Sequence, residues 1–320
     1  PNESSSGSQA QAVASIVDLP EEPAPRLQRP VLMVHGYMGA ASDFSSMADW
    51  IGRDGVNRSG GVIHGGQPFE ADPKANFFVL QFSKPWNPIE RNVGELKAAV
   101  DEICRKTGAG SIDVVAHSKG GLDVRTYLMD SDEKIDHVLL LGTPNHGALV
   151  ANLGVFARDR LHIPTFPKND DPEATQCLGE LSVDHVDRRG TPNNPLLHHL
   201  NEQWEVQRGR AQFLNIAGTG IPTAGGAVGV SVLGDGLVPQ SSVAMPGVPF
   251  RRMWFRPHSF LLTSKSVMRE MAAFFAGQPL KSDGDLFDSP RDRQQATASG
   301  LLDEAQRAAE GYLVAGSRPS

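Results

Sequence analysis

One short segment limits the possible folds of this chain more than any other: an apolar strand pattern that ends at a serine. The run Ile112 to Ala116 is followed by Ser118, and a helical pattern begins at Lys119. A nucleophile on such a sharp turn needs small residues two positions before and after it, because the backbone there is crowded. Ala116 and Gly120 are small. The pattern favours a nucleophile at the carboxyl end of a strand over a Ser-Gly turn without chemistry.

Similar apolar runs alternate with helical patterns through the middle of the chain, which is typical of βα units and a mostly parallel sheet. We predict strands at Val31 to His35, Phe77 to Phe82, Ile112 to Ala116, His137 to Gly142, Gln212 to Ala217 and Phe250 to Phe255. Two helices have clear signals: one is capped by Asn87 before Pro88, and another runs from Ser259. The sequence therefore predicts an α/β architecture.

Two tails and one long insertion flank or interrupt this pattern. Residues 1–30 are rich in Ser, Pro, Gln and Glu and contain no aromatic residue, so we predict a flexible leader. Residues 148–204 are rich in Pro, Asn and Asp, and an insertion of that length favours a cap or lid. Residues 279–320 form a second tail ending in an amphipathic helix, which packs on its own core or on a partner. The α/β core is assigned to residues 31–147 and 205–278.

Composition and short motifs narrow the possible partners and cofactors. The net charge of −7 argues against a broad nucleic-acid surface, and no apolar stretch approaches the roughly 18 residues that span a bilayer. Cys104 and Cys177 lack zinc-site spacing, so they form one disulfide or two buried thiols. The acids Asp170, Asp171 and Glu173 suit a solvated loop better than a calcium site. We assign no metal, and no dinucleotide or phosphate motif indicates a cofactor.

A glycine-rich loop follows the first predicted strand, at His35 to Gly39. Acyl transfer builds negative charge on the substrate oxygen, and two fixed backbone amides stabilise that charge effectively. One amide comes from the residue after the nucleophile and the other from an early strand-to-helix loop, so Lys119 and Tyr37 are the candidate donors of an oxyanion hole. For His35 itself we favour a role in orienting the loop over proton transfer.

With these motifs, the chain resembles α/β-hydrolases of the bacterial lipase and carboxylesterase type. The resemblance covers about residues 30–277, and five segments carry it in the family's order: HGYMG, NVGELKAAVDEICRKTGAGSIDVVAHSKGG, HVLLLGTPNHG, GDGLVPQSSV and PHSFLLTS. Most members carry Gly where this chain has Ala116, and more often Met, Gln or His where it has Lys119. The Lys119 side chain leaves the nature of the nearby substrate groups open.

The resemblance implies a catalytic triad in the chain order serine, acid, histidine. Ser118 is then the nucleophile, Asp235 in a glycine-flanked loop is the acid, and His258 after the last predicted strand is the base. The rival carboxylates are Asp113, Asp123 and Asp136, which we place inside a strand, on a helix and in a turn.

The predicted cap is where substrate choice is expected. Phe156, Phe166, Leu196 and Leu197 are candidates for an acyl-chain site, and core packing is the alternative interpretation. The resemblance implies a serine carboxylester hydrolase, with lipid esters such as acylglycerols as the expected substrate. A short-chain esterase, polyester depolymerase, amidase, thioesterase or phospholipase on the same fold stays open, as does a non-catalytic binding module. Export from the cytoplasm is expected because such lipases are often secreted, although a cytoplasmic location is also compatible with the sequence.

Overall fold

A central sheet of eight parallel strands organises the described part of the chain. The computed structural model describes residues 25–130, 134–152, 171–223, 233–280 and 283–302. Its strands are β1 Val31–Val34, β2 Ser59–His64, β3 Phe77–Gln81, β4 Ile112–His117, β5 Ile135–Leu141, β6 Gln212–Thr219, β7 Ile221–Pro222, β8 Leu233–Gly234, β9 Phe250–Trp254 and β10 Asp283–Leu286. The large sheet has the order β10-β9-β6-β5-β4-β1-β3-β2, and β7 and β8 form a separate antiparallel pair.

The strand order reverses between β1 and β4, because β2 and β3 lie on one side of β1 and the later strands lie on the other. In open parallel sheets, ligands bind outside the carboxyl ends of the strands at such a reversal. In register, Val34 at the end of β1 pairs with Ala116 near the end of β4. The glycine-rich loop and Ser118 therefore follow neighbouring strand ends at the position where this fold binds ligands.

Helices cover the sheet and connect its strands. They are α1 Ser45–Gly52, α2 Ile89–Thr107, α3 Lys119–Asp130, α4 Pro172–Glu180, α5 Pro195–Glu202, α6 Trp204–Arg210, α7 Gln240–Val243, α8 Lys265–Phe275 and α9 Pro290–Ala298, with 3₁₀ helices at Ala41–Phe44, Arg53–Gly55 and His258–Thr263. No helix in the described ranges is both long and apolar enough to span a bilayer.

Two helix starts differ from the predictions. Pro88, and not Asn87, occupies the N-cap position of α2, while the Asn87 side-chain amide donates to Ser83 Oγ at 3.0 Å. The helix predicted from Ser259 begins at Lys265, because the hydroxyl of Ser264 accepts a hydrogen bond from Val267 N and caps α8 there. The preceding apolar residues belong to a 3₁₀ helix, whose spacing resembles that of an α-helix over one turn.

Alternate residues of the central strands fill two apolar layers, one on each face of the sheet. Leu32 and Val34 pack in one layer, while Val31 and Met33 pack in the other. Side chains point to opposite faces of a strand in turn, and helices cover both faces of a parallel sheet. This double burial explains why the strands are continuous apolar runs, and it is the reason the sequence signal for them was strong.

All six predicted strands are confirmed within two residues at each end, but β2, β10 and the two-residue strands β7 and β8 were not predicted. β2 is an edge strand whose residues are mostly exposed, and β10 is Asp-Gly-Asp-Leu at the other edge. Edge strands bury less surface and need fewer apolar residues, so neither segment carries the periodic signal of a core strand. β10 and α9 also give the tail after residue 279 a structured beginning.

The two tails and the insertion are described only in part. Leu27, within the predicted leader, is buried and its amide donates to Asn57 Oδ1 at 3.1 Å. The insertion contains α4 and α5, and residues 153–170 lie outside the described ranges. Most of the predicted C-terminal amphipathic helix is likewise outside them, although Leu301 and Leu302 pack near Trp254. Cys104 and Cys177 are both buried free thiols.

Candidate active site

Ser118 lies on the sharp turn between β4 and α3. Its φ angle is +55°, a left-handed conformation that non-glycine residues adopt at an energetic cost. The turn is fixed on both sides: Ser118 N donates to Leu141 O at 2.8 Å, and Ser118 O accepts from Gly121 N at 3.0 Å. This is the strained strand-to-helix turn that the sequence predicted.

The loop after β1 lies directly against this turn. A Cβ atom on Gly36 would lie 2.6 Å from Ser118 Cβ and 3.1 Å from its Oγ. A Cβ on Gly120 would lie 2.7 Å from the carbonyl oxygens of Val34 and His35. Neither contact is possible without movement, so the glycines at both positions are required by close approach of two backbones.

Asp235 and His258 form a buried pair at the carboxyl edge of the sheet. His258 Nδ1 donates to Asp235 Oδ2 at 2.7 Å, and the side chains are 9% and 0% exposed. The other carboxylate oxygen accepts from the amides of Leu237 at 3.0 Å and Val238 at 2.8 Å. Because an ionised carboxylate only accepts hydrogen bonds, the proton of a neutral His258 is on Nδ1, and Nε2 is left as the acceptor.

The end of β5 connects this pair to Ser118. Ser118 N bonds to Leu141, and a Cβ on the next residue, Gly142, would lie 3.1 Å from His258 Cε1 and 3.2 Å from Asp235 Oδ2. On the other side, His117 Nε2 donates to the His258 carbonyl at 3.1 Å, and the two rings are 4.6 Å apart. Ser118, Asp235 and His258 therefore each follow the end of a strand, and these strand ends meet around Gly142. Sequence reasoning did not single out Gly142, although a glycine closing a buried strand was a visible signal.

His35 holds the glycine-rich loop in place. Its Nδ1 donates to Gly36 O at 2.9 Å and its Nε2 accepts from Phe82 N at 3.1 Å, so both ring nitrogens are engaged. Burial lowers the pKa of the imidazole, which favours the neutral form that this bonding requires. Tyr37, the next residue after Gly36, is partly buried against an apolar cluster that includes Ile89 and Leu122. These contacts fit the loop-orienting role predicted for His35.

The Lys119 side chain points away from solvent and forms a buried ion pair. Its Nζ lies 2.8 Å from Asp123 Oδ1, with both side chains almost fully buried, and Asp123 Oδ2 accepts from Asn92 Nδ2 at 3.0 Å. Burial raises the pKa of the Asp123 carboxyl, and the Lys119 ammonium opposes that shift. Lys119, which differs from the residue that most similar lipases carry there, is therefore paired with a carboxylate four residues later. This helical spacing is visible in the sequence.

The proposed acyl-site residues separate into three groups. Leu197 is fully buried and packs in the cluster with Leu122 and Cys177, so it makes core contacts. Leu196 is partly buried and lines a cleft of about 420 Å³ between α2, α3, α4 and α5, and no candidate catalytic residue lines that cleft. Phe156 and Phe166 lie outside the described residues.

The acids considered for calcium make other contacts where they are described. Asp171 caps α4 and accepts from Trp86 Nε1 at 2.8 Å, and Glu173 pairs with Lys84 and with Arg91. Asp170 lies outside the described ranges.

A second cluster of possible metal ligands lies near the start of β5. Asp113, Asp136 and His137 bring one ligand atom each within 4.8 Å of one another, and the Arg29 guanidinium pairs with Asp136 at 2.8 Å. The positive charge of Arg29 already balances part of the negative charge of this cluster.

Comparisons with known proteins bear on the fold and on the class of protein that the chain resembles. The chain matches no family model. It is 28% identical over 124 residues to a triacylglycerol lipase of Pseudarthrobacter phenanthrenivorans, and equally to one of Burkholderia plantarii. Each match covers 38% of this chain, and it spans about a third of each relative's length, 35% and 31% respectively.

Solved structures resemble the chain over a longer range. The mature form of lipase BlEst2 from Bacillus licheniformis has a TM-score of 0.55 at 17% identity, covering 80% of this chain and 94% of that one. A lin2722 gene product from Listeria innocua has a TM-score of 0.52 at 17% identity, covering 82% and 100%. The parallel sheet, its helices and these neighbours lead to one assignment. The chain has the α/β-hydrolase fold, and it resembles the lipases and esterases of that fold.

Proposed function

We propose that this chain hydrolyses carboxylic esters, with Ser118 as nucleophile, His258 as general base and Asp235 as the carboxylate that orients the base. The observation that carries the proposal is the buried 2.7 Å hydrogen bond from His258 to Asp235, beside a serine on a strained turn. Serine hydrolases need this combination, because a serine hydroxyl is a weak nucleophile until an adjacent base removes its proton.

The chemistry follows from the protonation state of the pair. Nε2 of His258 accepts the proton of the Ser118 hydroxyl while Ser118 Oγ attacks the ester carbonyl carbon. Asp235 stabilises the resulting imidazolium, which returns the proton to the departing alcohol. An acyl-enzyme forms, and water activated by the same histidine hydrolyses it and regenerates Ser118.

The backbone amides of Tyr37 and Lys119 are our candidates for stabilising the oxyanion. Lys119 is the first residue of α3, and amides of the first helical turn lack partners within the helix. The positive end of the helix dipole adds to their effect. His35 and the close contact at Gly36 support the role of Tyr37, because they fix the loop against the turn at Ser118.

Lipid esters such as acylglycerols are the substrate class we favour. The two sequence relatives are named triacylglycerol lipases. In this chain, Leu237 and Phe260 are 45% and 56% exposed, each two residues from a member of the Asp235–His258 pair. Such apolar side chains beside a reactive centre suit a water-insoluble substrate better than a polar one. Phe156 and Phe166 remain sequence-based candidates for acyl contacts, and an extracytoplasmic location is part of the same proposal.

The test is hydrolysis of p-nitrophenyl esters from acetate to palmitate by the wild type and by Ser118→Ala. We expect turnover that rises with chain length in the wild type and is lost in the variant. A parallel series on Phe156→Ser and Phe166→Ser is expected to reduce activity on palmitate more than on acetate.

Each other outcome has a definite meaning. Activity confined to the shortest esters would replace the lipase proposal with a short-chain esterase. Turnover of amides or thioesters in preference to esters would change the bond class. Ester turnover unaffected by Ser118→Ala, or no turnover on any of these substrates, would contradict the proposed function.

A further inference from the structure

The loop that carries His258 is held at both ends by a single carboxylate from the C-terminal part of the chain. We call residues 255–264 the His258 loop. Arg256 near its start donates Nε to Asp288 Oδ2 at 2.7 Å, and Ser264 at its end donates Oγ to Asp288 Oδ1 at 2.8 Å. Asp288 Oδ1 also accepts from Ser266 N at 3.0 Å.

Asp288 is well suited to this task by its surroundings. Its side chain is 11% exposed and that of Arg256 is 35% exposed; Arg256 Nε donates to Asp288 Oδ2, and Nη2 lies 2.7 Å from the same oxygen. Charge-assisted hydrogen bonds with little exposure to water are stronger and more directional than those at an open surface. Each carboxylate oxygen therefore holds one end of the His258 loop.

The carboxylate is itself held in place by the preceding strand. β10 pairs in parallel with β9, and Asp285 accepts from both Arg252 and Trp254 of β9. The Phe287 ring lies stacked on the fully buried Trp254, at 6.1 Å and 8° between planes. Asp288 follows directly from this packed strand, so its position is set by the sheet.

Between its ends, the His258 loop is also held by His117, which donates to the His258 carbonyl, and by the buried side chains of Leu261 and Leu262. His258 N donates to Asp235 O at 3.0 Å, and its ring bonds the Asp235 side chain. Phe255 at the loop's start has φ +57°, a strained conformation for an aromatic residue. A strained start of this kind persists where surrounding contacts impose it, and Arg256 is the next residue.

We infer that Asp288 is a positioning residue for His258: by bonding Arg256 and Ser264, it fixes the loop so that the imidazole keeps its hydrogen bond to Asp235. This inference rests on the proposed function for its kinetic consequences, and on the geometry alone for its effect on the His258–Asp235 hydrogen bond. Small displacements of a catalytic group lower the rate strongly while affecting substrate binding little.

Asp288→Asn tests the inference, with Glu270→Gln as its matched control. When the asparagine amide oxygen accepts from Ser264, its amide nitrogen replaces the oxygen that accepts from Arg256. Glu270→Gln removes another ion pair of β9, between Arg251 and Glu270 of α8, without touching Asp288 or the His258 loop. We expect Asp288→Asn to lower kcat on p-nitrophenyl butyrate about 10- to 100-fold with KM nearly unchanged. Arg256→Gln is expected to reproduce the effect, and Glu270→Gln to retain the wild-type kcat.

A spectroscopic measurement keeps this test independent of activity. A histidine Nδ1 proton bonded to a carboxylate gives a low-field proton NMR signal, which His258→Ala assigns by its loss. The signal is expected to broaden or vanish in Asp288→Asn and to persist in Glu270→Gln. An unchanged signal in Asp288→Asn, or an equal loss of kcat in Asp288→Asn and Glu270→Gln, would overturn the inference. If the wild type lacks Ser118-dependent turnover, the proposed function fails, and the NMR comparison still decides the positioning role.

Discussion

At the scale of single residues, Gly36 and the Lys119–Asp123 pair determine how the turn at Ser118 is built. Gly36 lets the loop after β1 lie against Ser118, and Lys119 connects the first turn of α3 to Asp123 and through it to Asn92 of α2. Gly36 leaves space beside the nucleophile, so a substitution there is expected to lower activity. The Lys119–Asp123 pair is a buried charge pair, so a substitution there is expected to lower stability.

Gly36→Ala is expected to lower ester hydrolysis by about 100-fold or more, because the new Cβ displaces either Ser118 or the loop that carries Tyr37. KM and kcat for p-nitrophenyl esters measure the effect. Gly94→Ala, where no atom lies within 4 Å of the added Cβ, is the matched control and keeps full activity. Wild-type activity in Gly36→Ala would contradict the close approach described here.

Asp123→Leu leaves the Lys119 ammonium buried without its partner, and we expect it to destabilise the fold by about 3–5 kcal/mol. The double variant Lys119→Met, Asp123→Leu removes both charges and is expected to recover most of that loss, because an apolar pair of similar volume needs no compensation. Urea unfolding of the two single variants and the double variant measures the coupling free energy. Additive effects of the two substitutions would show that the pair is not coupled.

At the scale of elements, two of the glycines within helices, Gly94 and Gly121, differ in their surroundings. Gly94 is exposed in the middle of α2, whereas a Cβ on Gly121 of α3 would lie 2.0 Å from Thr143 Oγ1. Glycine is unfavourable inside a helix because its unfolded form has more conformational freedom than alanine has. The same substitution therefore has opposite consequences at the two positions.

Gly94→Ala is expected to raise the free energy of unfolding by about 0.5–1 kcal/mol, the usual difference between the two residues in an exposed helix. Gly121→Ala is expected to lower it, since the side chain or the Thr143 strand end has to move. Thermal or urea unfolding compares the two variants with the wild type. A gain in stability for Gly121→Ala would mean that α3 does not approach β5 as closely as the structure has it.

The elements also show how far the sequence alone could predict the structure. The six apolar strands were predictable because they are buried on both faces, and the turn at Ser118 because its small neighbours carry a local signal. β10 was not, because Asp283–Leu286 owes its strand conformation to pairing with β9 and to Asp285 bonding Arg252 and Trp254. The start of α8 depended on the Ser264 cap, which periodicity alone could not separate from the preceding 3₁₀ helix.

The candidate site likewise contains residues that the sequence could predict and one that it could not. Ser118, Asp235 and His258 could be named from motifs, because each motif is local in sequence. Asp288 could not, because its partners Arg256 and Ser264 lie 32 and 24 residues away and no motif connects them. Contacts between segments so distant in sequence depend on the order of the strands in the sheet, and the sequence alone does not show that order.

At the scale of the whole molecule, buried neutral histidines link stability to pH. Burial lowers the pKa of His35 and, more strongly, that of His117. Below the unfolded-state pKa the unfolded chain binds protons that these folded side chains do not. Stability is therefore fully present above that pKa and falls as the pH decreases through it.

We expect the free energy of unfolding to fall between pH 7.5 and 5.5 by up to about 1.4 kcal/mol for His117, which stays neutral when folded. His198 opposes the trend, because Asp184 raises its pKa. Comparing urea unfolding of the wild type and His117→Gln at both pH values isolates one histidine. The variant is expected to show the smaller decrease, and equal decreases would contradict a neutral buried His117.

The account as a whole depends on Ser118 being an activated nucleophile. The most direct measurement is mass spectrometry of the intact protein after reaction with a fluorophosphonate, which forms a covalent bond only with an activated serine. The account predicts a single adduct on the peptide that contains Ser118, no adduct in Ser118→Ala, and much slower labelling in His258→Ala. A folded protein that stays unlabelled, or an adduct that persists in Ser118→Ala, would contradict it.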